Sequence, residues 1–195
     1  MFSVPFQNTI RSSLTVFAIS QREHFFHTIG RADIVPHTTR ESYDPYKAVL
    51  EQLLELTDKE FEFLITSLLA ALGFEGSERT GRSGDGGVDA TGELNVANLA
   101  EMKIFVQAKR YKLENKISPN VVKALRQSIP AGGQGAFITT ADFQLAASHI
   151  AIEQGFPRIG LVNGRQLVDL LVAHWEDVDP EFKDNLRLKP ELVRL

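Results

Sequence analysis

Glu101-Met102-Lys103-Ile104-Phe105-Val106-Gln107-Ala108-Lys109-Arg110 alternates through its second half. Ile104, Val106 and Ala108 fall on one side of an extended chain, Phe105, Gln107 and Lys109 on the other. A helix would scatter these residues around its axis. A strand sorts them into an apolar face and a face carrying an amide and an ammonium. Upstream, Val88 to Leu94 reads as another short strand and Phe74 to Thr80 as one more, with the glycine-rich turn Gly81-Arg82-Ser83-Gly84-Asp85-Gly86-Gly87 between them. Thr57 and Glu60 have the spacing of a capping box. Phe61, Leu64, Ile65, Leu68, Leu69 and Leu72 then follow at helical spacing, and Gly73 suits the stop.

Downstream, Ser118 and Pro119 open a helix whose apolar stripe is Val121, Val122, Leu125 and Ile129. Gly135 to Thr140 reads as a buried strand, Phe143 to Gln154 as a helix, Arg158 to Val162 as a strand and Gln166 to His174 as a last helix. Strands alternating with helices require crossovers, so the expected class is α/β, a mixed or parallel sheet covered by helices on both faces. The core domain is expected over 56–175. Residues 1–50 show no sustained period and read as a small N-terminal accessory segment, with a turn at Tyr43-Asp44-Pro45-Tyr46. Residues 176–195 read as a peripheral C-terminal tail.

The chain has 195 residues, 43% of them hydrophobic and 24% charged, which suits one well-buried core rather than a disordered or fibrous chain. It has no cysteine, which excludes disulfides, thiolate zinc sites and a cysteine nucleophile. Any metal must therefore sit on oxygen or imidazole. His24 and His27 lie three apart, but the five histidines show no zinc-ligand spacing. No apolar run is long enough to span a membrane, and the start lacks the pattern of a secretory signal, so a cytoplasmic location is expected. A formal net charge of −4 gives no global sign of nucleic-acid binding, but local charge decides that contact.

Asp89 and Gln107-Ala108-Lys109 carry the expected chemistry. Gln107 and Lys109 are two apart on a strand, so both project from one face, about 7 Å apart. Asp89, on the preceding strand after the glycine turn, is placed to pair across from them. Magnesium takes oxygen ligands and retains several waters. The Asp89 carboxylate, the Gln107 amide oxygen and the Ala108 backbone carbonyl can supply three, with manganese able to substitute. Lys109 is then placed to orient or deprotonate the attacking water and to offset charge on a phosphate. The glycine loop has neither a Walker lysine nor dinucleotide-binding spacing, and Asp85 reads as a turn residue.

Taken in order, Phe61-Glu62, Leu72-Gly73-Phe74, Ser83-Gly84-Asp85-Gly86-Gly87-Val88-Asp89, Val106-Gln107-Ala108-Lys109-Arg110-Tyr111, Phe137-Ile138-Thr139-Thr140 and Leu161-Val162-Asn163-Gly164 span more than half of the chain. This series resembles the Mrr-like branch of the PD-(D/E)xK nuclease superfamily. The resemblance implies a restriction-endonuclease-like core, in which Asp89 is the metal-binding aspartate, Gln107 replaces the wider superfamily's acidic residue and Lys109 is the catalytic lysine. It also implies that Glu62, on the first helix, assists metal or water binding. The implied activity is metal-dependent hydrolysis of DNA phosphodiesters, in restriction of foreign or modified DNA. Gln107 removes one negative charge, which should weaken metal affinity without abolishing it.

A cationic stretch follows the site. Arg110, Lys112, Lys116, Lys123 and Arg126, with Tyr111 interleaved and Arg82 from the glycine loop, are the candidates for holding double-stranded DNA. Arg79 could add to them. Thr139 and Thr140 suit a buried strand and could also line the site. Two other readings stand beside the nuclease: a structure-specific, junction-resolving nuclease, and a catalytically silent DNA-binding or assembly module. Against the silent module, Asp89, Gln107 and Lys109 are all present. A homodimer, and a separate recognition domain or subunit, are the expected partners besides DNA.

Overall fold

Pro45 opens the first helix among the described residues, α1 (Pro45–Glu55), at a position where its missing N–H costs nothing. The computed structural model describes residues 44–79, 87–97, 99–180 and 183. From Tyr46 onward they form one compact unit. Helix α1 buries Tyr46, Val49, Leu50 and Leu53, so the packed core begins ahead of the start expected at Leu56. The expected turn at Pro45 is corrected to a helix N-terminus. Expectations for residues 1–43 lie outside the described residues.

Helix α2 (Asp58–Ala71) begins with the expected capping box: the Thr57 side chain accepts from the Glu60 N–H at 3.3 Å, and Glu60 Oε2 accepts from the Thr57 N–H at 2.6 Å. It buries Phe61, Leu64, Ile65 and Leu68. Strands β1 (Glu75–Arg79), β2 (Ala90–Val96) and β3 (Ala100–Lys109) form an antiparallel meander. The chain then runs through β4 (Lys116–Ile117), α3 (Pro119–Gln127), β5 (Gln134–Thr139), β6 (Asp142–Phe143), α4 (Leu145–Ala151), β7 (Ile159–Val162) and α5 (Gly164–Ala173). The main sheet has the order β1-β2-β3-β5-β7, with β5 parallel to both β3 and β7. It is the mixed sheet the alternation of elements implies.

The two faces follow from the pleat. Phe137 on β5 and Ile159 on β7 join Val122 and Leu125 of α3 and Ala147 and Ala151 of α4 in one buried cluster, with Phe105 packed against it. Val106, Ala136 and Ile138 have the opposite parity and are also buried, on the side where α2 and α5 meet the sheet.

Two further differences from expectation concern Phe143 and Val178. Phe143 belongs to β6 rather than to a helix, because β6 pairs in parallel with β4 in a second, two-stranded sheet. Helix α4 therefore starts at Leu145. Val178 is 1% exposed, so packing continues past the expected domain end at Trp175. No helix among the described residues is long and apolar enough to cross a membrane.

Candidate active site

Asp89 sits one residue before β2, fastened to the edge of β3. Its N–H donates to the Val106 carbonyl at 2.8 Å, and its Oδ2 accepts from the Ala108 N–H at 2.9 Å. Lys109 Nζ lies 3.2 Å from the same oxygen and 3.3 Å from Oδ1. The carboxylate is thus largely enclosed, while the ammonium stays partly open to solvent. Two strands joined by a hairpin bring together groups twenty positions apart.

Gln107 lies close against Gly87. Gly87 has φ +87, and a Cβ there would overlap the Gln107 amide nitrogen. That backbone conformation favours glycine, and a side chain there would displace the Gln107 amide. Gln107 Oε1, in contrast, is buried with no hydrogen-bond partner. A buried acceptor without a partner costs about 1–3 kcal/mol, so this oxygen fits the part of a ligand to a donor or cation.

Glu62 completes the set electrostatically. Burial, then the Asp89 carboxylate, raise its pKa above the ordinary carboxylate value of 4.5, and the Asp58 carboxylate adds a smaller push; Lys109 and Arg79 pull the other way. The Glu62 carboxylate is thus within electrostatic range of both Asp89 and Lys109. No group of three or more His, Asp or Glu gathers among the described residues. The oxygen groups available near the Asp89–Lys109 pair, the Asp89 carboxylate and the Gln107 amide oxygen, are hard ligands of the kind magnesium-like ions prefer.

The expected DNA-contacting residues divide. Lys112, Lys116 and Lys123 are exposed. Arg126 is not: it is 8% exposed, its Nη1 meets Glu153 Oε2 at 2.8 Å, its Nη2 donates to the Ile150 carbonyl, and its guanidinium lies over the Phe156 ring. Its expected DNA role is corrected to a strut between α3 and the segment after α4. Arg110 is likewise occupied, donating to the Leu54 carbonyl and pairing with Asp58 Oδ1 at 3.1 Å, which ties the end of β3 to the α1–α2 junction. Tyr111 packs against the α3–α4 cluster. Arg82 and Asp85 lie outside the described residues, as do His24 and His27. Arg79 Nη1 donates to the Lys59 carbonyl at 3.3 Å and acts on Glu62. Its position next to the site follows from the pairing Arg79↔Ala90, which spacing alone does not reveal.

Comparison with known proteins gives a consistent result. A family model for the Mrr catalytic domain, described as "Restriction endonuclease", matches residues 53–171. The type IV methyl-directed restriction enzyme EcoKMrr of Escherichia coli (strain K12) is 33% identical over 132 residues, covering 65% of this chain and 41% of the enzyme. The chain thus spans about two fifths of that relative's length. Among solved structures, the DNA modification-dependent restriction endonuclease AspBHI superposes with a TM-score of 0.59 at 20% identity, over 79% of this chain and 42% of that one. The MspJI restriction endonuclease, solved with a 27-mer oligonucleotide, gives 0.55 at 19% identity, over 83% and 39%. At those identities the two structures speak for the fold.

Proposed function

We propose, from the premise that this chain belongs to the Mrr-type restriction endonuclease family, that it hydrolyses phosphodiester bonds of double-stranded DNA with magnesium, for which manganese substitutes. The observation that carries the reading is the Asp89–Lys109 pair beside the empty Gln107 Oε1. Asp89, Gln107 Oε1, the Ala108 carbonyl and Glu62 would hold the ion. Bound there, it supplies a Lewis acid that stabilises charge on the phosphate and acidifies water.

The chain's own residues supply the rest. Asp89 fixes Lys109 through the ion pair, keeping Nζ at the mouth of the site. From there the ammonium orients water and offsets the charge that builds on the phosphate. Glu62, within electrostatic range of Asp89 and Lys109, would assist by holding the ion or its water. Lys112, Lys116 and Lys123 supply exposed cations for the DNA backbone. The family supports restriction of foreign DNA as the setting, and the methyl-directed activity in the name of the Escherichia coli relative supports modified DNA as the substrate.

The test is digestion of methylated and unmethylated plasmid in magnesium or manganese, with Asp89→Ala and Lys109→Ala alongside. Metal-dependent cutting that both substitutions abolish is the expected result. Intact plasmid that is merely shifted in a gel would instead identify a DNA-binding module that does not cut.

A further inference from the structure

Lys109↔Thr139 is the last pair of the β3–β5 ladder, and the chain leaves the sheet directly after it. Tyr111 nevertheless remains fastened to β5. The Thr140 hydroxyl donates to the Tyr111 carbonyl at 2.6 Å and accepts from the Tyr111 N–H at 2.9 Å. A hydroxyl has one proton and two lone pairs, so it satisfies both groups at once. One side chain here does the work of a neighbouring strand's backbone. Thr140 is 2% exposed, so its hydroxyl is shielded from water.

The clasp is braced from behind. The Gly164 N–H donates to the Ala141 carbonyl at 2.9 Å, and Thr139 Oγ1 accepts from the Ala141 N–H at 3.2 Å. A Cβ at Gly164 would overlap the Thr140 carbonyl, so the start of α5 presses on the end of β5 at a distance only glycine allows. Between the clasp and the ladder, Arg110 is anchored to Leu54 and Asp58.

We propose that Thr140 is the positioning residue for Lys109. It acts through the Tyr111 backbone, keeping β3 from peeling away just beyond the lysine, so that Nζ stays in register with Asp89. The inference rests on the nuclease reading for the role of Lys109. It gives the buried Thr140 hydroxyl, directly after β5, a role beyond packing.

The test compares wild type, Thr140→Val and Thr140→Ser in three measurements: single-turnover cleavage, DNA affinity without magnesium, and hydrogen exchange at the Tyr111 amide. Thr140→Val keeps the shape and loses the hydroxyl. It should slow cleavage by about tenfold or more, the scale on which displacement of a catalytic group is felt. DNA affinity should hold, and Tyr111 should exchange faster. Thr140→Ser should restore all three values. Gly164→Ala, which pushes on Thr140 from behind, is an independent variant with the same expected signature should Thr140→Val not fold. A Thr140→Val protein that cuts at the wild-type rate, or a Thr140→Ser protein that does not recover, overturns the proposal. Unchanged exchange at Tyr111 overturns it whether or not the wild type cuts. Failure of the wild type to cut counts against the nuclease reading.

Discussion

Burial, and then the Asp89 charge, raise the Glu62 pKa above 4.5 against the opposing pull of Lys109 and Arg79. The sign of the resulting pH effect is fixed by linkage. Its folded-state pKa lies above 4.5, so the folded protein holds this proton more firmly than the unfolded chain. The associated stability is full below 4.5 and is lost as pH rises through the folded value. In chelator-treated protein, the stability of wild type relative to Glu62→Gln should therefore fall as pH rises above 4.5. Thermal melts of the two proteins across that range check this, and a pH-independent difference would refute it. A bound cation would favour the ionised form and reverse the trend. At this scale the sequence locates Asp89, Gln107 and Lys109, because a two-residue repeat and one hairpin suffice to gather them. It could not show that Gln107 has an unfilled oxygen, since that depends on what Gly87 and the surrounding backbone leave unpaired. Arg110 misleads for a similar reason: its partner Asp58 is 52 positions away, on an element whose placement spacing does not predict.

Helix α3 carries two cations with opposite fates, three positions apart. Lys123 is exposed, whereas Arg126 turns inward to Glu153 and the Ile150 carbonyl. The two alanine variants should separate cleanly. Arg126→Ala should lower stability by about 1–3 kcal/mol, the cost of leaving buried partners unmet, and leave the salt dependence of DNA binding unchanged. Lys123→Ala should melt normally and reduce the slope of log affinity against log salt by about one, as for one lost phosphate contact. Denaturant titration and binding at several salt concentrations decide it; a changed slope in Arg126→Ala would return that residue to the DNA surface. The sequence could have revealed α1, since Tyr46, Val49, Leu50 and Leu53 have the i, i+3, i+4, i+7 spacing of a helix face. Pro45 obscured it, being read as a turn signal where it is a helix start. Strands β4 and β6 have two residues each, too few for any period. They exist only because their partners meet, and the sequence carries no local sign of them.

On the proposed nuclease reading, the compact unit carries one Asp89–Lys109 pair with Gln107 beside it, enough for one hydrolysis at a time. Duplex DNA has two antiparallel strands related by local two-fold symmetry, and a double-strand break requires two such hydrolyses. Two copies of the chain about a matching two-fold axis would present one site to each strand. The predicted consequence is kinetic. At low protein concentration a supercoiled plasmid should first become a nicked circle, and linear product should then form at a rate that rises more steeply than in proportion to protein. A mixing experiment isolates the cause. An excess of Lys109→Ala protein, which should still bind DNA and pair with wild type, should make mixed assemblies that cut one strand only, so that nicked circles accumulate where wild type alone gives linear DNA. If the inactive partner leaves the ratio of linear to nicked product unchanged, each chain cuts both strands in succession and pairing plays no part in the break.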